Sequence, residues 1–336
     1  MKKLSAFAAG ALAALLLAGC SERTITGTLT VPGDAAARTF TMEGNDGRTY
    51  AVTLTEDAPV TAWPEDTRAD DLYTGRCPAL RLSVTGRLRL FGGEPLALTA
   101  ASAQINAARQ PEDLPLADGT PLAVWQGSFD REYSLPDGTV LLEERLGGKA
   151  ADAVEGVPGL TEEASENILA FYERQGILYD LPAQLEAAWA AYSEKSEGFD
   201  LYTLGQEVRL SAENDSTLWL TTSVTLPLGG GAVTEEQFSA AFDKASGEAL
   251  APGDLFTRTG GELAAALLDA AAITGEPRRS EMLAVFDERR VVFRPDALEV
   301  FFPEGAVPSE ETALILGLDY TDGVKALLRP RALPSA

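Results

Sequence analysis

Two rhythms of apolar and polar residues divide the chain. From Ile25 to Ala100 the apolar positions recur every second residue. Ile25–Val31, Arg38–Met42, Tyr50–Leu54, Leu80–Leu90 and Leu96–Ala100 each alternate in this way, the pattern of a half-buried strand. Asn45-Asp46-Gly47 between the second and third runs signals a hairpin. Five strands, with one irregular connection between the third and fourth, predict a small closed barrel. Beyond residue 121 the rhythm is mixed. Phe129–Leu135 and Val140–Leu146 flank Pro136-Asp137-Gly138, a turn in which proline presets φ and glycine accepts positive φ. Thr161 is placed to cap a helix with Glu162 and Glu163 in its first turn. Ala164, Ile168, Phe171 and Tyr172 form that helix's buried stripe, and Gly176 stops it. A second helix follows Pro182, with Leu185, Trp189 and Tyr192 on one face, a spacing that reads as core. Glu207–Leu210 and Leu218–Leu226 read as paired strands, and Glu262–Ala272 as a helix with Leu263, Leu267 and Ala271 inward. Val291–Phe293 and Leu298–Phe302 form a hairpin. Leu314–Tyr320 is a last strand and Gly323–Leu328 a last short helix. Phe238, Ala240 and Phe242 fit a strand, while Phe238 and Phe242 alone fit a helix, so periodicity leaves that segment open.

The expected fold class is therefore α+β: a small N-terminal β-barrel, then an α+β domain. Residues 107–121 are rich in proline and lack apolar periodicity, so they read as a linker. The expected division is 1–19, 20–106, 107–121 and 122–336.

The first twenty residues stand apart. Lys2 and Lys3 precede a nearly continuous apolar run from Leu4 to Ala18. The run is short for a bilayer span, which needs about 20 residues, and has the flanks of a secretory signal. Leu17-Ala18-Gly19-Cys20 resembles a bacterial lipobox. That resemblance implies cleavage before Cys20 and its diacylation, which anchors a soluble body to a membrane. Loss of Lys2 and Lys3 then takes the net charge from −24 to −26. The expected location is the extracytoplasmic face of the cell membrane.

Composition narrows the chemistry. The chain has no histidine, 51 acids and 27 bases. This excludes Ser-His-Asp and Cys-His triads and His-ligated metal sites, and the negative charge opposes nucleic acid. Of the two cysteines, lipid consumes Cys20, so Cys77 has no partner within the chain. It reads as a half-buried small hydrophobe, since no histidine or lysine cluster lowers its pKa. Arg81, Arg87 and Arg89 fall on one strand face. They read as a solvated face, with an anion-binding strip as the alternative. Paired carboxylates can hydrolyse glycosides without histidine, but Glu143-Glu144, Glu162-Glu163, Glu235-Glu236 and Glu310-Glu311 are sequence neighbours, which point to different faces. They read as solvated charge. No catalytic, metal or cofactor residues are assigned.

Two resemblances add to this reading. Gly75, Leu82, Val84 and Gly86, with the strand order, make residues 20–106 similar to bacterial OB-like barrels. The C-terminal half resembles the extracellular domain shared by RsiV-type anti-sigma factors and PdaC-type peptidoglycan deacetylases. Three ordered segments carry that resemblance: Asp137-Gly138 with Gly156-Val-Pro-Gly-Leu160; Phe242-Asp243, Ser246-Gly247, Leu250 and Gly253-Asp254-Leu255-Phe256; and Leu298–Pro303 followed by Leu314–Tyr320. It implies that Phe238–Asp243 is a strand and that helices pack on an antiparallel sheet. Val233 stands where that family carries a histidine after Gly230-Gly231-Ala232. The sigma-binding segment and the deacetylase module have no counterpart here. The functional expectation is a non-catalytic, membrane-anchored binding or sensing module for a cationic, lysozyme-like protein or a cell-wall glycan. The alternatives are a wall carbohydrate-active enzyme using a carboxylate pair, and a purely structural envelope lipoprotein.

Overall fold

The computed structural model describes residues 22–89 and 93–335. The expected signal peptide and Cys20 lie outside these residues. The chain is mixed α+β and divides into two compact units, Met1–Leu141 and Leu142–Ala336.

The first unit contains β1 (Glu22–Leu29), β2 (Thr39–Gly44), β3 (Thr49–Leu54), β4 (Val60–Ala62), α1 (Asp71–Thr74), β5 (Leu80–Arg89), β6 (Leu96–Arg109), β7 (Leu114–Pro115), β8 (Pro121–Gln126) and β9 (Asp130–Ser134). Five of these close on themselves. β1 pairs with β2, and β2 with β3, both antiparallel. β3 runs parallel to β6, and β6 is antiparallel to β5. β5 returns to β1, antiparallel over eight residues from Glu22↔Arg87 to Leu29↔Leu80. Alternation decides what fills the barrel. Leu80, Leu82, Val84 and Leu88 of β5 point inward with Phe40, Met42, Tyr50, Val52, Leu98 and Ile105. A barrel this narrow needs bare backbone where strands approach, as at Gly27 and Gly86. At Gly86 a Cβ would come within 2.3 Å of the Thr99 carbonyl oxygen, at a register shift between β5 and β6. The irregular connection holds α1, whose Leu72 is buried in the same core.

Residues 107–121, expected as a spacer, are partly built into sheet. β6 continues through Arg109 and pairs its last two residues with β8. β7 pairs with β8, and β8 with β9. The facing prolines Pro115 and Pro121, at one end of the short β7–β8 ladder, are compatible with edge pairing, which composition alone does not reveal. The break between compact units falls at Leu141, not at residue 121.

The second unit contains the remainder of β10 (Val140–Arg145), then α2 (Ala150–Val154), α3 (Glu162–Gln175), α4 (Leu181–Glu194), β11 (Tyr202–Glu213), β12 (Thr217–Gly229), β13 (Ala232–Asp243), α5 (Pro252–Leu255), α6 (Gly260–Ala270), α7 (Arg278–Val285), β14 (Val291–Phe293), β15 (Ala297–Phe302), β16 (Leu314–Asp319) and α8 (Asp322–Lys325). Residues Leu142–Arg145 of β10 run parallel to β11. β11, β12 and β13 form an antiparallel meander, and β14, β15 and β16 a separate antiparallel sheet.

β12 feeds two cores because its side chains alternate between faces. Leu218 and Leu220 pack with Phe242, Val208 and Ile168, against Phe171 and Tyr172 of α3. Trp219 points the other way, to Ala241, Phe256, Phe293, Leu263, Leu267 and Met282. Burial on both faces explains why the run Leu218-Trp219-Leu220 is continuously apolar. Phe238–Asp243 is strand: β13 pairs with β12 from Thr217↔Asp243 to Gly229↔Ala232. The α3 cap forms as expected, with Thr161 Oγ1 accepting from the Ala164 N–H at 3.0 Å. The turn after β13 presses on that helix. Gly247 has φ +72°, and a Cβ there would lie 2.1 Å from the Ala164 carbonyl oxygen. Asn167 Nδ2 donates to the Ser246 carbonyl at 2.9 Å.

Candidate functional site

The second unit holds a cleft of about 640 Å³ between the end of α3, one half of β13 and the segment entering β14. That volume lies within the range of small-molecule sites, ~300–1,000 Å³. Its floor is apolar: Phe171, Phe238, Ala240, Leu250, Phe256 and Phe293. Its polar groups are Arg174, Arg289, Arg290, Glu288, Gln175, Thr222 and Ser239.

Each wall has a local cause. Helix α3 places Phe171 on the sheet side, edge to face with Phe242 at 5.1 Å between ring centroids. One turn later Arg174 comes to the helix C-terminus, where a cation suits the dipole. The chain after α3 is pinned to β11: Gln206 Oε1 accepts from the Leu178 N–H at 2.8 Å, and Gln206 Nε2 donates to the Gly176 carbonyl at 3.0 Å. On β13, residues 238–241 supply the floor.

The third wall is a charged clamp. A 3₁₀ turn over Glu288–Arg290 is capped by Asp287, whose Oδ1 accepts from the Arg289 N–H at 3.0 Å. The Arg289 guanidinium returns to the same carboxylate, Nη2 to Oδ2 at 2.7 Å. Arg290 Nη2 donates to Glu236 Oε2 at 2.8 Å. Phe238 lies beneath both guanidiniums, with the Arg290 Cζ 4.5 Å and the Arg289 Cζ 5.7 Å from its ring centroid, within cation–π range. Burial acts to raise the Asp287 pKa, but hydrogen bonds from the Arg289 side chain and backbone, with the Arg289 and Arg290 charges, hold it below the usual carboxylate value. Glu288 is engaged by the Gly260 N–H. Arg174 makes no ion pair among the described residues.

The residues singled out from sequence are distributed differently. Arg81, Arg87 and Arg89 do share the outer face of β5. Arg81 is held by Glu132 at 2.7 Å and lies over Trp125 at 4.3 Å. Cys77 packs beside the barrel core. Burial raises its thiol pKa and the Asp71 charge adds to that, while Arg76 partly offsets them. The carboxylate doublets do not converge, but one departs from expectation. Glu144 is 0% exposed rather than solvated, and accepts from the Tyr179 hydroxyl at 2.6 Å. Its strand is buried on the face where Tyr179 packs, which neighbour-by-neighbour reading misses. Gly229–Gly231, all at positive φ, form the β12–β13 turn, and Val233 beside it is 49% exposed. The cleft uses the opposite half of β13. Among the described residues, no group of three or more Cys, Asp or Glu side chains stands close enough to hold a metal ion, and no helix is long and apolar enough to cross a membrane.

No family model matches the chain, and no curated protein matches it. Solved structures with a distant likeness include two DUF3298 family proteins. One is a DUF3298 family protein from Pseudomonas aeruginosa PAO1, with 13% identity and a TM-score of 0.30, covering 58% of this chain and 87% of that one. The other is a DUF3298 family member from Bacteroides fragilis, with 13% identity and a TM-score of 0.33, covering 67% and 93%. No residue role is carried over from either.

Proposed function

We propose that this chain is a membrane-anchored extracytoplasmic lipoprotein, acylated at Cys20, that acts as a non-catalytic binding or sensing module. The cleft carries this reading. It offers aromatic surface and three guanidiniums, two of them paired with Asp287 and Glu236 and Arg174 with no ion pair among the described residues. Guanidiniums stay protonated through the working pH range, so they attract and orient a ligand without exchanging protons with it. The order Lys2-Lys3, apolar run, Leu17-Ala18-Gly19-Cys20 supports the anchor. The strand circuit β1-β2-β3-β6-β5, closed by a parallel β3–β6 pair, supports an OB-like reading of the barrel. The contacts of α3 with β12 and β13 support helices laid on an antiparallel sheet. The acidic exterior supports a cationic protein as one partner, since long-range attraction raises encounter rates. The cleft supports a wall-glycan fragment as the other.

Two measurements test this. Mass spectrometry of the protein from its own membranes should show a diacylglyceryl group on Cys20, and an unmodified Cys20 refutes the anchor. Calorimetry with lysozyme and with soluble peptidoglycan fragments, at low and high salt, should give saturable binding to at least one. The absence of heat with both, at either salt, removes the binding role.

A further inference from the structure

We infer that the cleft takes an amphipathic carboxylate: a ligand with an apolar body for the aromatic floor and an anionic group for the arginine rim. The inference rests on the binding reading above and names the ligand class of that site.

Charge segregation is the first argument. The unit from Leu142 onward carries 34 acids and 15 bases. A cleft lined at random from that composition would be acidic. This one is lined by three arginines and a single acid, Glu288, and Glu288 is engaged by the Gly260 N–H. Asp287 and Glu236 are spent on Arg289 and Arg290, so the rim is close to neutral and Arg174 is its unpaired charge among the described residues.

The state of the three guanidiniums is the second argument. Arg289 is satisfied by Asp287 and sets the clamp. Arg290 spends Nη2 on Glu236, while its Nη1 is buried and has no hydrogen-bond acceptor among the described residues. Buried donors without acceptors are rare in folded proteins and call for a specific explanation. Arg174 is exposed and has no counter-ion among the described residues. The rim therefore holds one guanidinium without an ion pair among the described residues, Arg174, and beside it Arg290, whose Nη1 is enclosed beneath the cleft wall. A carboxylate suits Arg174, because it accepts charge-assisted hydrogen bonds while its carbon skeleton covers phenylalanine. A cationic ligand would be repelled by Arg174. Ser239, half-buried on the floor strand, adds a hydroxyl for orientation.

The test is isothermal titration of the full chain carrying Cys20→Ser, with three probes of one length: octanoate, octan-1-ol and octylammonium. Octanoate should bind at least about tenfold more tightly than either other probe, the scale of one charge-assisted hydrogen bond. Arg174→Gln, an exposed substitution that leaves the core untouched, should cost octanoate several-fold and leave octan-1-ol unchanged. Ala240→Trp, which fills the floor, should abolish binding of octanoate and weaken octan-1-ol in parallel. Equal affinity for octanoate and octan-1-ol, both lost in Ala240→Trp, overturns the carboxylate assignment while leaving a binding cleft. Binding of no probe, or binding indifferent to Ala240→Trp, overturns the cleft itself.

Discussion

Phe242 packs behind the cleft, against its lining residue Phe171. Its ring is fully buried and contacts Phe171 edge to face at 5.1 Å, with Tyr172 at 5.9 Å. Ile168, Leu218 and Leu220 complete its surroundings. Replacing it with alanine removes a large ring from a site framed by a paired strand and a helix, neither free to collapse inward. Phe→Ala changes in such places cost about 3–5 kcal/mol, and the lost aromatic pairs place this one in the upper half of that range, since each contributes ~0.5–1.5 kcal/mol beyond area. For a unit of about 200 residues each kcal/mol lowers Tm by roughly 2–4 °C, so a fall of roughly 8–20 °C is expected. Phe238→Ala is the control. That ring is half-buried, and its main special contact is with Arg290, worth about 0.5–1 kcal/mol at a partly exposed site. Its Tm should fall by only a few degrees while octanoate affinity drops. Calorimetric melting of both variants, with near-UV circular dichroism to report aromatic packing, separates the two. Equal Tm shifts in the two variants, or a Phe242→Ala shift under about 3 °C, would refute the claim that Phe242 occupies a site unable to relax.

Further expectations concern the barrel and the thiol. Asp71 is 4% exposed, and its pKa is lowered chiefly by its hydrogen bond from Arg76, against an opposing push from burial. A carboxyl depressed on folding contributes stability that is present above its unfolded pKa, about 3.9, and is lost as pH falls through the folded value. Wild-type barrel stability should thus decline in acid more steeply than that of Asp71→Asn, measured by hydrogen exchange of β5 amides between pH 7 and 3. Parallel curves would sink the assignment. Gly86→Val should destabilise the barrel by several kcal/mol, because its Cβ meets the Thr99 carbonyl oxygen at 2.3 Å and backbone rather than a flexible side chain must give way. A urea midpoint equal to wild type contradicts this. Cys77 should react with iodoacetamide at pH 7.4 well below the rate of a free model thiol, given its raised pKa. Labelling at the model rate would show it is neither buried nor inert.

Alternation made the barrel legible. Leu80, Leu82, Val84 and Leu88 alternate with polar residues, and Asn45-Asp46-Gly47 turns where the motif requires. Helix α3 was equally plain, because cap, dipole and stripe agree at Thr161, Glu162-Glu163 and Ile168. The strand at Phe238–Asp243 was not decided by periodicity, since five or six residues satisfy both rhythms; the twelve-residue ladder with β12 decides it. Helix α7 escaped because only Met282 of its eight residues is buried, which leaves almost no stripe to detect. The cleft escaped for a topological reason. Its walls come from residues 171–178, 238–241 and 288–293, and nothing in the local chemistry of Arg289-Arg290 distinguishes it from ordinary surface charge until β13 brings Phe238 beneath it.

The fourteen-residue β6 has a practical consequence for dissecting the protein. The strand is a stave of the barrel paired with β5 as far as Ala108, and its last two residues pair with β8 as well. Scissors placed at residue 106 would sever the stave opposite Leu80 and Arg81, whose partners are Ala108 and Ala107, and leave both fragments with raw edges prone to sticking. A fragment meant to stand alone should instead end past the β8–β9 hairpin, where the backbone has finished its obligations to the barrel.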